Sequence, residues 1–181
     1  MSVPVPRTCT EILLENSDQR REPLCGPLDT FQSVPAYVLL GDPGSGKSTA
    51  FCVEAEALGE DAVLMSTREF LRSYANRGGD WQGKTIFIDG LDEMRAGSGE
   101  PRAVLDRLWM ALDTLGRPRF RISCREADWL GSNDRTALAS VSPDFQVTAL
   151  RLNPLRACVT MPKRRAGSSW GERRVLVTLG A

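Results

Sequence analysis

The chain has 181 residues, 41% of them apolar and 25% charged, with 23 basic and 23 acidic side chains. That length suits one domain with a real core, and the zero net charge excludes a global electrostatic pull toward nucleic acid or a membrane. Histidine is absent, which removes imidazole acid–base catalysis and most metal-centre chemistry. The five cysteines (Cys9, Cys25, Cys52, Cys124, Cys158) are odd in number and never spaced as CxxC, against a disulfide framework or a zinc site.

The start of the chain has no charged-then-apolar signal pattern, and no apolar run approaches membrane-spanning length, so the expected compartment is the cytoplasm. Residues 1–35 hold five prolines, and six charged residues fall within Glu11–Glu22. They read as an irregular lead-in over 1–27 with one short helix around Thr10–Leu14. The clause PLDTF precedes the first strong strand, Ala36–Leu40. A glycine-rich turn then leads to a helix over Lys47–Leu58. Strand Ala62–Met65, helix Thr67–Asn76 and strand Thr85–Asp89 follow. After the glycine-rich AGSGEP come a helix over Arg102–Leu115, strand Phe120–Cys124, a helix around Arg135–Ser140 and a last strand, Phe145–Leu150.

Five short, nearly continuous apolar strands separated by helices predict an α/β fold with a parallel sheet covered on both faces. Right-handed crossovers make this a doubly wound, three-layer αβα sandwich. Ligands in such sheets bind at the carboxyl ends of the strands, where both the glycine-rich turn and a cluster of acids fall.

The turn GDPGSGKS, Gly41 to Ser48, satisfies GxxxxGK[ST], and Thr49 follows. Phosphate binding needs successive inward-turned backbone N–H groups, which side chains at Gly41, Gly44 and Gly46 would obstruct. The expected nucleotide-binding residues are Gly41, Asp42, Pro43, Gly44, Ser45, Gly46, Lys47, Ser48 and Thr49. The helix start presents its positive end, the Lys47 ammonium reaches the β- and γ-phosphates, and the Ser48 hydroxyl ligates Mg²⁺. The competing reading is a flexible glycine turn that matches by coincidence.

The stretch TIFIDGLDEM, residues 85–94, runs an apolar strand into three carboxylates, Asp89, Asp92 and Glu93. Asp89 at the strand end can hold Mg²⁺ opposite Ser48. Asp92 or Glu93, one short turn further, can orient or deprotonate an attacking water. The alternative is an ordinary acidic loop. No NKxD guanine-reading motif occurs, which favours ATP.

The segment from Ile86 to Glu93 fits hhhhDGhDE, and in it the sequence resembles the NACHT branch of the STAND signalling ATPases. RFRISCREADW, residues 119–129, is similar to the sensor strand of that family, and VTALRLNPL, residues 147–155, to the last strand of its nucleotide domain. The resemblance covers about 28–155 and implies a P-loop NTPase domain over 28–154. Its parallel sheet would be five-stranded with order 2-3-4-1-5, strands numbered along the chain. It also implies that Arg125 senses the γ-phosphate, making Lys47, Asp92, Glu93 and Arg125 the catalytic set. The cofactors would be ATP or ADP with Mg²⁺. The function would be a slowly hydrolysing signalling switch of the kind found in bacterial proteins suspected of anti-phage defence. Self-assembly, effectors and sensor domains belong to intact relatives. Two other readings remain: a AAA+-like motor or loader acting on DNA or protein, and a non-hydrolysing interaction module or inactive remnant.

The family's helical, winged-helix and repeat domains are missing, and so is the winged-helix histidine. Residues 155–181 carry six basic residues and one acid, which leaves 1–154 near −5 and the tail near +5. Its Arg-, Gly-, Ser- and Ala-rich composition is what out-of-frame reading of a GC-rich gene tends to give, so a truncated or frameshifted product is expected. The rivals are a basic tail that binds nucleic acid or anionic surfaces, and an ordinary end with a short strand, Val175–Leu179. Arg125 has a second reading as an ion-pair partner of Glu126 or Asp128. Cys124 reads as a small buried residue, and Trp81, Trp109 and Trp129 as packing residues. Tyr37 and Phe31 read equally as core or as borders of an adenine site.

Overall fold

The computed structural model describes residues 7–13 and 22–154. The expected tail over 155–181 and the Leu14 end of the expected N-terminal helix lie outside them. Among the described residues the fold is α/β, with a mixed sheet of seven strands and five α-helices. The strands are β1 (Thr8–Ile12), β2 (Cys25–Pro27), β3 (Ala36–Leu40), β4 (Ala62–Ser66), β5 (Thr85–Asp89), β6 (Arg119–Cys124) and β7 (Thr148–Leu152). The helices are α1 (Lys47–Leu58), α2 (Thr67–Arg77), α3 (Leu91–Ala96), α4 (Pro101–Thr114) and α5 (Ser132–Ala139).

The sheet runs β2-β1-β7-β3-β6-β5-β4. Its last five members are parallel and lie in the expected order. The five-stranded sheet is nevertheless a correction, because β1 and β2 extend it antiparallel beyond β7. The segment expected to begin a helix at Thr10 is instead a strand. TCTEI alternates Thr8, Thr10 and Ile12 with the buried Cys9 and Glu11, and its backbone pairs with β7 from Cys9↔Leu152 to Ile12↔Ala149. Five residues are too few for a helix to offset its nucleation cost, whereas the exposed edge of β7 supplies hydrogen-bond partners at once.

The central strand β3 is buried along its whole length. Ala36, Val38 and Leu40 face a core built with α2, α4 and α5, while Tyr37 and Leu39 face a second core under α1. The period-two alternation of a strand thus feeds both faces, and helices cover each. Each fully buried Leu, Ile or Phe contributes roughly 1.5–3 kcal/mol. Tyr37 and Phe31 belong to the α1-side core, and Trp81 packs in the other, stacked on Phe70 with centroids 5.8 Å apart.

Two further expectations shift. The last strand starts at Thr148 rather than Phe145, because Phe145 sits in a turn at φ 58° with 62% exposure. There the Asp144 carboxylate accepts the Gln146 N–H at 3.2 Å, a local bond that competes with strand pairing. The α3 helix, unforeseen, places Asp92 and Glu93 in its first turn.

Beneath α1 lies a buried polar group. The Tyr37 hydroxyl donates to Glu54, and the Arg121 guanidinium stacks 4.3 Å from the Tyr37 ring centroid. Arg121 also donates to the carbonyls of Pro35 at 2.9 Å and Gln32 at 3.1 Å. Burial raises the Glu54 carboxyl above its usual range, opposed by the Tyr37 hydrogen bond and the Arg121 charge. None of the described helices is long and apolar enough to cross a membrane.

Candidate functional site

The carboxyl ends of the parallel strands form one rim, and the residues singled out in sequence lie along it. The Gly41–Ser48 turn follows β3 and leads straight into α1. Gly46 caps the helix at φ 92°, a left-handed conformation that penalises any side chain, and Gly41 is crowded by Ser45 Oγ, 2.8 Å from where its own Cβ would stand. The turn closes through Ser45 N–H to Asp42 O at 3.1 Å and Ala50 N–H to Gly46 O at 2.9 Å. Lys47 Nζ donates to the carbonyls of Gly41 at 2.8 Å and Asp42 at 3.0 Å, so the ammonium is folded over the loop that precedes it. Asp42, Pro43, Gly44, Ser48 and Thr49 are exposed.

Asp89 ends β5, with β6 between it and β3. The parallel register sets Leu39 opposite Ser123, and Ile88 opposite Ile122 next to it. Two strand spacings, about 10 Å, therefore separate Asp89 from the β3 line. Ser123 bridges part of the gap: its hydroxyl donates to the Asp89 carboxylate and accepts the Gly90 N–H at 2.8 Å. The strand alternation that buries Phe87 beneath α1 turns Asp89 to that same face, the face of the glycine turn. Thr67 Oγ1 donates to the Asp89 carbonyl at 3.0 Å and steadies the strand end.

Asp92 and Glu93 part company. Asp92 is buried and accepts the Arg125 backbone N–H at 3.1 Å, while its second oxygen meets Arg125 Nε at 2.7 Å. Glu93 is exposed and folds back over Gly90, its Oε2 3.4 Å from where a Cβ at position 90 would lie. Gly90, at φ 75°, is the residue that allows this turn from strand to helix. Arg125 thus has an ion-pair partner, but it is Asp92 rather than Glu126 or Asp128. Glu126 is held by a two-point contact with Arg151 on β7.

A residue that sequence reading missed stabilises this flank. Arg95, on α3, is buried against Asp134 of α5 at 2.8 Å and donates to the Asp128 carbonyl. Asp134 also accepts the Leu130 N–H at 3.0 Å. With Asp92 it ties α3 to the whole segment from Arg125 to Asp134. No sequence signal could have paired residues 39 apart, since the contact exists only once β5 and β6 are neighbours. Cys124 lies alongside, buried, its thiol pushed up to about 12 chiefly by burial; that suits a packing residue and not a nucleophile.

Ser48 and Asp89, the expected metal ligands, carry the hard oxygen donors that a magnesium ion takes. Among the described residues no three Cys, Asp or Glu side chains cluster as a metal cage, but Mg²⁺ keeps several waters and needs only one or two protein oxygens. Ser48, exposed at the second position of α1, and Asp89, half-exposed at the strand end, offer that much. A hollow of about 480 Å³ lined by Ser66, Arg68, Glu69, Arg72 and Ser73 opens beyond β4 at the same rim. Its walls are mostly exposed polar side chains, and the glycine turn lies outside it. The fold and rim define an α/β protein whose candidate ligands gather at the carboxyl edge of the parallel strands. Neither the models of known families nor the curated proteins contain a match to this chain.

Proposed function

We propose that the protein is a P-loop nucleotide-binding domain that holds ATP or ADP with Mg²⁺ and hydrolyses ATP slowly, as a signalling switch of the NACHT type. The observation that carries the reading is the Gly41–Ser48 turn, left-handed at Gly44 and Gly46, joining a buried central strand to the start of a twelve-residue helix. Backbone N–H groups and a helix end in that arrangement favour an anion. The Lys47 ammonium, resting on carbonyls of its own loop, needs only a short swing to meet a phosphate.

Ser48 and Asp89 would hold Mg²⁺, which neutralises charge that develops on the phosphates during transfer. Glu93 is the acid that orients the attacking water, because Asp92 is buried and its two oxygens are taken by Arg125. Asp92 instead positions Arg125, whose side chain remains 44% exposed and is the group that would sense the terminal phosphate. Catalysis then rests on positioning and charge stabilisation, with general-base help worth about 10²–10⁴-fold.

Phosphate release from ATP, followed with and without Mg²⁺, tests this division of labour. Glu93→Gln is expected to cut turnover about a hundredfold while nucleotide affinity is kept. Asp92→Asn should weaken the distinction between ATP and ADP binding more than it lowers turnover. Equal loss of turnover in both variants would contradict the assignment, and no release by the unaltered protein would make it a binding module without hydrolysis.

A further inference from the structure

A third charged group reaches the rim from the strand that sequence reading did not foresee. Because β1 runs antiparallel to β7, its start lies at the carboxyl end of β7, beside the glycine turn. The Asn153 N–H donates to Thr8 O at 2.9 Å, and Arg7 Nη2 donates to Asn153 O at 2.9 Å, which anchors the guanidinium there. Arg7 Nη1 lies 3.4 Å, and Cζ 3.9 Å, from the point where a side chain on Gly46 would begin. The guanidinium therefore stands against the residue that caps α1.

That position is electrostatically costly for a lone cation. The amino end of α1 carries the positive pole of its backbone dipoles, and Lys47 adds a full charge one residue further on. Among the described residues no carboxylate lies within ion-pairing distance of Arg7, and its Nε is buried with no partner. An anion lying against the turn would meet the helix end, Lys47 and Arg7 together and so offset the repulsion among them. Arg7 enters from the β7 side and Asp89 from the β5 side, so the two flank the turn at opposite ends.

We infer that Arg7 is a phosphate ligand of the Gly41–Ser48 turn, taking the phosphate farthest from Asp89; this rests on the nucleotide reading above. In a nucleoside di- or triphosphate whose outer phosphates share Mg²⁺, that is the phosphate next to the sugar. A guanidinium suits it because its planar fork donates two hydrogen bonds and it carries charge without a metal.

Calorimetric titration of the full chain with ADP tests it, comparing unaltered protein with Arg7→Gln, Arg7→Lys and Lys47→Ala. Arg7→Gln keeps an N–H donor for the Asn153 carbonyl while deleting the charge. Its ADP affinity should fall roughly ten- to a hundredfold, with no fall in the thermal midpoint of the nucleotide-free protein. Arg7→Lys, which keeps the charge, should regain most of that loss. Affinity unchanged in Arg7→Gln but lost in Lys47→Ala would overturn this inference alone. Equal weakening in Arg7→Gln and Arg7→Lys, with a lowered midpoint in both, would show that Arg7 only braces Asn153 and would also overturn it. No ADP binding by unaltered protein would overturn the nucleotide reading and this inference with it.

Discussion

The glycine turn after β3 and the α3–α5 flank after β5 and β6 meet at one rim, yet they are held in different ways. The turn is closed by its own backbone, and its one lysine rests on neighbouring carbonyls. The other flank is closed by side-chain charge: Asp92 to Arg125, and Arg95 to Asp134 with the Asp128 carbonyl. A backbone cradle keeps its cation and N–H groups ready for an incoming anion. A flank closed by ion pairs has already committed most of its charges, and Glu93 is left as its exposed acid. Under the proposed function, the first region would bind and the second would align.

Breaking the charged flank should produce the largest change in stability. Arg95→Ala leaves the Asp134 carboxylate, 1% exposed, without its cation, and should cost about 3–5 kcal/mol in urea unfolding. A loss below about 1 kcal/mol, the scale of a surface pair, would mean that this flank is not held by buried charge. A smaller effect is expected beneath α1, at Glu54. Its carboxyl titrates above the ordinary 4.5 in the folded protein, so folding favours its protonated form. That contribution is fully present below the unfolded value and is lost as pH rises through the higher folded value. Relative to Glu54→Gln, the unaltered protein should therefore lose stability as pH rises above the ordinary 4.5 and through the higher folded value. Urea midpoints of the two proteins that run parallel across that range would contradict it.

Much of this rim was legible in sequence, and the reason is local. Strands Ala36–Leu40 and Thr85–Asp89 and helix Lys47–Leu58 have the bounds expected from unbroken apolar runs and a glycine-marked helix start. The glycine turn is contiguous, so its conformation follows from its own residues. What could not be read is what depends on distant partners. TCTEI became a strand because β7 offered an edge, and Arg7 reaches the rim only through that pairing. Asp92 and Glu93 are adjacent and chemically alike, and the segment carrying Arg125, 33 residues on, separates them by burying one. The six-residue α3 is too short to show a helical period. Arg121 sits inside a buried strand, and its place under α1 was decided by Tyr37 opposite it on β3 and by Glu54 on α1.

The most direct measurement is calorimetric titration of the full chain with ATP in Mg²⁺, set beside Lys47→Ala. Micromolar binding by the unaltered protein, reduced at least tenfold in the variant, is the expected result. Equal affinity in the two proteins, or no heat of binding in either, would contradict the assignment of the Gly41–Ser48 turn as a nucleotide cradle.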